Sequence, residues 1–269
     1  MHPILIDIGV FQIRSYGFML ALSFLVGIYV AGRRAKRFGV NPQHVLDLSV
    51  YIILAAVVGS RLLYVLFHLG EFNSPLDFFA LWKGGATFYG GMLLAFAVAY
   101  AYVSRKGLSF LQISDIMAPS VALGMMFTRV GCFLSGCCYG KPTTLPIGVV
   151  FPLDSPAGYS ASGAALELGV AEVALHPTQL YSSAYGLVIF LLLLGLGSKL
   201  TKRGATFGAL LVFYGIARFV VDMFRFYEEN ARVLMSLTFN QVISIVLFAF
   251  GIWLIVRPLK TIAKPAEEQ

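Results

Sequence analysis

Three arginines of this 269-residue chain, Arg61, Arg129 and Arg218, stand inside long apolar runs. A charged side chain at the centre of a bilayer costs about 2.5–3.5 kcal/mol on insertion scales, so such arginines turn toward a polar cavity or a partner. The guanidinium fork suits bidentate binding of phosphate. Arg218, Asp222 and Arg225 are spaced i, i+4, i+7, which places them on one helix face, where Asp222 can pair with either arginine. Three guanidinium groups at one level would suit a phospholipid head group with its glycerol just below. Any one arginine could equally form a structural ion pair or snorkel to the interface.

The segment Arg129-Val-Gly-Cys-Phe-Leu-Ser-Gly-Cys-Cys-Tyr-Gly140 is the densest in chemistry and holds all three cysteines, Cys132, Cys137 and Cys138. Its glycines, Gly140 among them, allow close backbone approach. Three thiols could meet His176 at a metal, but C-x4-C-C is not a standard zinc spacing, so neither a metal nor another cofactor is expected. A local disulfide and plain packing of small side chains are the alternatives. Other polar residues collect near the ends of the apolar runs. They are Tyr16, Tyr89, the His176-Pro-Thr-Gln179-Leu-Tyr181 segment, and Asn240 with Gln241. An interfacial aromatic belt accounts for tyrosines at such places equally well. A histidine before proline at a helix start also serves as a cap or loop residue.

The elements that must hold these residues follow from composition. The chain is 58% hydrophobic and only 12% charged, against about 25% charged in soluble domains, and its mean hydropathy is +0.81. Lipid must therefore be part of its solvent. The net charge of +7 sits in short clusters between apolar runs, a pattern of membrane topology that argues against nucleic acid as a partner. A span needs about 20 mostly apolar residues. Seven segments qualify: 16–34, 46–68, 88–104, 115–135, 177–198, 206–225 and 239–257. The expected fold is an all-α polytopic membrane protein of about seven transmembrane helices. Residues 1–258 form one transmembrane domain with outer loops at about 69–87 and 139–175, and 259–269 form a cytoplasmic tail. The second loop, rich in Gly, Ala, Ser and Pro, reads as either a small external cap or a disordered loop.

Lysines and arginines orient the spans. One side holds Arg33, Arg34, Lys36, Arg37, Arg105, Lys106, Lys199, Lys202, Arg203, Arg257, Lys260 and Lys264; the other holds Arg14, Lys83, Lys141, Arg225 and Arg232. Positive residues accumulate on the cytoplasmic side, so the N-terminus is expected outside and the C-terminus inside. The first apolar run carries its positive charge after it, as a retained span does and a cleaved signal peptide does not. At about 1.5 Å per residue, all three intramembrane arginines then lie roughly 10–12 Å below the outer ends of their spans.

Several motifs in order make the chain resemble the prolipoprotein diacylglyceryl transferases of bacterial inner membranes. They are Ser15-Tyr-Gly17, Gly59-Ser-Arg-Leu-Leu-Tyr64, Thr87-Phe-Tyr-Gly-Gly91, Ser114-Asp-Ile-Met-Ala-Pro119, the Arg129–Gly140 segment, His176–Tyr181 and Tyr214–Arg225. The resemblance implies transfer of a diacylglyceryl group from phosphatidylglycerol to the lipobox cysteine of an exported preprotein, with glycerol phosphate leaving. The partners would be that membrane lipid and the signal peptide carrying the lipobox cysteine. The active site would face the outer leaflet. On the resemblance, Arg129 and Arg218 bind the phosphate and stabilise the leaving group, with Tyr89 the third catalytic candidate. Arg61, Tyr16, Gly140, His176, Gln179, Tyr181, Asp222, Arg225, Cys132 and Cys137 are implied in substrate binding. The family pattern has Asn where Cys132 stands, Glu where Cys137 stands, and often His where Tyr89 stands; it commonly has Glu where Ser182 follows Tyr181. A tyrosine has an ordinary pKa near about 10, so it acts as a base at neutral pH only beside cations that lower it. An arginine-stabilised substrate thiolate would need no strong base. Two other functions fit the same residues: a related enzyme with another donor or acceptor and a cysteine nucleophile, or a lipid-binding or transport protein.

Overall fold

In lipid, every backbone N–H and C=O needs a partner within the protein, and apolar runs of this length meet that demand by folding into helices. The structure is a computed structural model, which describes residues 1–9, 11–69, 85, 87–168, 170, 172–197, 200, 202–227, 232–234 and 237–257. Its elements in order are β1 (Ile4–Ile8), β2 (Phe11–Arg14), α1 (Ser15–Arg37), α2 (Pro42–Phe67), α3 (Phe88–Arg105), α4 (Phe110–Leu134), α5 (Pro156–Leu168), α6 (Thr178–Leu196), α7 (Ala205–Met223), β3 (Arg232–Leu234), β4 (Leu237–Thr238) and α8 (Phe239–Val256). Among the described residues six helices, α1, α2, α4, α6, α7 and α8, are long and apolar enough to cross a membrane. The 18-residue α3 coincides with the third expected span. The protein is an all-α, multi-pass membrane protein; its strands form two short antiparallel pairs, β1 with β2 and β3 with β4. Most of the expected outer loop 69–87 and the tail 259–269 lie outside the described residues, as do Lys83, Lys199, Lys260 and Lys264 of the charge pattern.

Side-chain placement is inverted relative to a water-soluble protein. Leu25, Tyr29, Leu54, Leu62 and Phe96 are exposed on helix surfaces, while Arg61, Asp115, Gln179, Arg218 and Asp222 are buried. Exposed apolar faces on this scale call for lipid around them.

The chain divides into two compact units. The first holds the described residues of Met1–Val30 and Ser114–Ile262, and the second those of Ala31–Ile113. In the second, α2 and α3 touch backbone to backbone: a Cβ on Gly59 would stand 2.5 Å from Gly90 O, and one on Gly91 would stand 2.7 Å from Ala56 O. Small residues at such crossings are what membrane helices use to approach closely. In the first unit, α7 and α8 cross in the same way at Gly208 with Gly251 and at Gly215 with Ser244. Ala118, Ala122, Ile189, Leu193, Ala209 and Leu210 from α4, α6 and α7 form its buried core.

Asp115 explains how α7 starts. Gly204 before it has no side chain to cap the helix. The buried Asp115 carboxylate on α4 instead accepts from Gly204 N at 2.5 Å and from Phe207 N at 2.8 Å. A negative group there also complements the helix dipole. Asp115→Ala strands one buried and one partly buried N–H donor, at about 1–3 kcal/mol for the buried one. It is expected to lower the thermal midpoint of the detergent-solubilised protein by several degrees, whereas Asp115→Asn, which can still accept one bond, lowers it less.

The loop 139–175 is folded. Ser155 and Pro156 are a favoured N-cap and first-turn pair, and Gly158 N donates to Ser155 Oγ at 3.1 Å. The helix that follows, α5, buries Ala157, Ala161 and Ala165 against Phe151, Val173 and Leu175. Isolated bridges Pro142–Leu175 and Val149–Leu175 tie the two arms of the loop together.

Candidate active site

The cysteine-rich segment turns back directly after α4. Gly136 and Cys138 both adopt positive φ, 65° and 62°. For a cysteine that conformation costs about 1–3 kcal/mol, and it persists only where the surroundings hold it. They do so here through the first residues of α6. Thr178 Oγ1 donates to Cys138 O at 2.8 Å and Gln179 Nε2 donates to Cys137 O at 2.7 Å. Both side chains are buried, and Gln179 Oε1 has no partner among the described residues. Cys137 N donates to Cys132 O at 3.1 Å. As a result the three Sγ atoms lie within 4.8 Å of one another, and all three cysteines are free thiols. Bonds from the Cys132 and Cys137 thiols hold the Cys138 thiol well below its ordinary range, with the Arg225 and Arg129 cations adding to this against burial. The same thiol contacts, with burial, push Cys137 up.

Arg218 is the second focus. Its Nη2 lies 3.3 Å from Asp222 Oδ1 within α7 and donates to Tyr227 Oη at 3.3 Å. Asp222 is well held: it also accepts from the Tyr227 hydroxyl at 2.5 Å and from Thr238 Oγ1. Asn240 Nδ2 donates to Tyr227 Oη at 2.8 Å. Burial raises the Tyr227 hydroxyl above its usual range, and the bond to Asp222 adds to the rise. Arg218 Nη1, in contrast, is buried with no hydrogen-bond partner among the described residues. An orphaned charged donor is expensive, and in a native site it marks the place of a missing acceptor.

Arg225 does not share this helix face, as its i+7 spacing had suggested. The helix ends at Met223 with Phe224 as its cap. Arg225 N closes a tight turn on Asp222 O, and the residue then bridges to Gly140. Its guanidinium lies over the Tyr227 ring at 5.5 Å, and its Nε is buried without a partner among the described residues.

Arg129, near the end of α4, has no carboxylate partner among the described residues. Tyr185 and Tyr214 from α6 and α7, with ring centroids 6.2 Å apart, are within its electrostatic reach, as are Cys132 and Cys138. Tyr185 also senses Arg218, so it stands in the field of both cations. Tyr16 backs onto Gly131 of α4 and senses the cysteines and Arg129.

Gly140 and His176 serve the backbone around this site. A Cβ on Gly140 would meet His176 Cβ and Phe224 O at 2.6 Å each, so no larger residue fits. His176 Nδ1 lies 3.0 Å from Tyr181 Oη, and its ring packs 5.1 Å from that of Phe224. Burial, and then the Lys141 cation, lower its pKa below the ordinary value of 6.5. The neutral form is therefore the folded form. Between the lowered pKa and 6.5 the unfolded chain binds more protons, so stability rises with pH there. This contribution is complete above pH 6.5 and is lost as pH falls through the folded pKa. Thermal midpoints in detergent are expected to fall between pH 7 and pH 5, less steeply in His176→Gln.

Arg61 and Tyr89 belong to the second unit. Arg61 is buried, donates from Nη1 to Gly85 O at 2.9 Å, and lies 5.7 Å from the Tyr64 ring centroid. Tyr89 is exposed near the start of α3.

Tyr185, Tyr227 and Thr238 were missed as site residues. Tyr185 carries a signal, since it follows Tyr181 by one helical turn. Tyr227 and Thr238 carry none, because only the turn after α7 and the cap of α8 bring them to Asp222.

Nearly the whole sequence also resembles known proteins. The family described as prolipoprotein diacylglyceryl transferase matches residues 3–257. Similar proteins named phosphatidylglycerol–prolipoprotein diacylglyceryl transferase occur in several bacteria. One from Clostridium tetani (strain Massachusetts / E88) is 33% identical, covering 94% of this chain and 96% of its own. One from Solidesulfovibrio magneticus is 36% identical, covering 95% and 94%. One from Synechococcus elongatus is 32% identical, covering 98% and 92%.

Proposed function

As the chain belongs to the prolipoprotein diacylglyceryl transferase family, we propose that it moves a diacylglyceryl group from phosphatidylglycerol to the thiol of a lipobox cysteine in an exported preprotein. The protein is a transferase. The acceptor sulfur attacks the glycerol carbon of the donor, the bond from that carbon to the phosphate oxygen breaks, and glycerol phosphate leaves with the electron pair. The thiol proton goes to water. Negative charge grows on the phosphate as the bond breaks, so catalysis needs fixed positive donors there.

The buried Nη1 of Arg218, unpartnered among the described residues, carries this proposal. A phosphate oxygen is the acceptor it lacks. Arg129, which has no carboxylate partner among the described residues, supplies the second cation. Tyr185, in the field of both, borders the same site. Asp222, Tyr227 and Thr238 orient Arg218 without neutralising its second nitrogen. Cys132, Cys137, Gly140, Gln179, His176, Tyr181, Tyr16 and Arg225 shape the acceptor side, while Arg61 supports the connection between α2 and α3. An apolar groove of about 330 Å³ on α7 and α8, lined by Ile216, Phe219, Val220, Ile245 and Phe248, offers room for acyl chain.

The biased distribution of lysine and arginine supports seven spans with the N-terminus outside, the C-terminus inside and the site toward the outer leaflet, and the resemblance to transferases of bacterial inner membranes supports that location. The test is complementation in cells depleted of their own transferase. Restored growth with a diacylglyceryl thioether on a lipobox reporter is the expected result. An unmodified reporter in cells that express the protein in the membrane would exclude the activity.

A further inference from the structure

From the cysteine-rich turn we propose that Cys132, Cys137 and Cys138 bind one zinc-class d10 metal ion and leave a fourth position for the thiol of the acceptor cysteine. The proposal deepens the transferase function above and rests on it for the identity of that thiol.

The geometry points there first. All three Sγ atoms fall within 4.8 Å of one another. Zinc–sulfur bonds of about 2.3 Å in a tetrahedron put sulfurs about 3.8 Å apart, so the thiols need only close slightly on an ion. The chain invests in this arrangement. It holds Cys138 in the left-handed region and pins the carbonyls of Cys137 and Cys138 with two buried side chains, Thr178 and Gln179. Packing of small residues would need neither device. Cys132 is buried, whereas Cys137 and Cys138 are partly exposed, which gives an ion and a further ligand a way in.

No protein group among the described residues completes a fourth position. His176 is not part of the cluster, and its Nδ1 is engaged with Tyr181. Closed structural zinc sites have four protein ligands, while catalytic ones have three and an open place.

Such an ion answers a chemical need of this chain. Binding the acceptor thiol to the ion releases its proton to water and leaves a thiolate, with no carboxylate or imidazole base required. The bound sulfur then forms its bond to the glycerol carbon as the carbon–oxygen bond to phosphate breaks. Glycerol phosphate departs with that electron pair beside Arg129 and Arg218. The neutral thioether sulfur is a poorer ligand than a thiolate, so the product can leave the ion.

The test uses the full chain in detergent, reduced and then freed of reductant. Elemental analysis after incubation with Zn²⁺ and gel filtration is expected to find about one ion per chain, falling roughly tenfold or more in Cys138→Ser and in Cys132→Ser. Co²⁺ in place of zinc is expected to give thiolate-to-cobalt absorption that changes when a lipobox peptide with cysteine is added, and not with its serine counterpart. The cobalt measurement on the unaltered protein does not depend on whether the variants fold. Metal content no higher than in a triple Cys→Ser variant overturns the proposal, as does a disulfide between two of the three cysteines in the purified protein. A cobalt spectrum indifferent to the cysteine peptide removes the fourth position. Thioether formation by metal-free protein ends the metal site and leaves the transferase standing. A spectrum that responds to the peptide with no thioether formed from phosphatidylglycerol does the reverse.

Discussion

Arg218→Ala and Arg129→Ala are each expected to lower diacylglyceryl transfer by roughly 10²–10³-fold, the scale seen when one donor to a developing oxyanion is removed. The donor phosphate is a monoanion in the lipid and becomes a dianion as glycerol phosphate leaves. A guanidinium therefore interacts more strongly with the transition state than with bound lipid, and the loss should fall mainly on kcat rather than KM. Arg218→Lys keeps the charge but not the planar fork, so it should recover only part of the rate. Arg218→Ala leaves the buried Asp222 carboxylate only its bonds from Tyr227 and Thr238, so its melt should fall as well, and rates are to be read well below that melt. Initial rates with phosphatidylglycerol vesicles and a lipobox peptide, alongside a thermal melt of each variant, check this. A loss below about tenfold in protein that remains folded would remove Arg218 from the phosphate site.

Asp222→Ala is expected to act first on stability. Its carboxylate is buried beside Arg218 and accepts from two hydroxyl groups. Removing one member of a buried pair leaves an uncompensated charge and costs about 3–5 kcal/mol. By the scaling for domains of this size, that is a fall in thermal midpoint of roughly 6–20 °C. Asp222→Asn keeps the shape and an acceptor and should lose less. Phosphatidylglycerol is expected to raise the midpoint of Asp222→Ala more than that of the unaltered protein, since its phosphate would meet a guanidinium with no other counter-charge. A lipid-independent melt in both proteins would separate this pair from lipid binding.

Much of the scaffold was legible because lipid enforces a simple rule of long apolar runs. The expected span 115–135 appears as Phe110–Leu134, 206–225 as Ala205–Met223 and 239–257 as Phe239–Val256. Helix α5 was less legible. Its alanines and glycines give a weak periodic pattern, and its Ser155-Pro156 start was not read from the sequence. The same limit applies at the site. The four-residue spacing of Arg218 and Asp222 exposed their pairing, because it depends on one regular helix. Arg225 was placed on the same face by that logic, but the helix ends at Met223, one residue past the pair, and its end is set by the turn and bridge that follow. The convergence of Cys132 with Cys137 and Cys138 depends on two left-handed residues and on anchors some 40 residues away in sequence. C-x4-C-C spacing alone carries no trace of those anchors, so it had argued against a metal.

The central claim is that a phosphate held by Arg129 and Arg218 leaves as a thiol takes the diacylglyceryl group. The most direct measurement is mass spectrometry of a synthetic lipobox peptide after incubation with the purified, reconstituted protein and phosphatidylglycerol. The account predicts a diacylglyceryl adduct on the cysteine sulfur with an equal amount of glycerol phosphate released, and almost none of either with Arg218→Ala. An unmodified peptide, or an adduct formed as readily by Arg218→Ala, would contradict it.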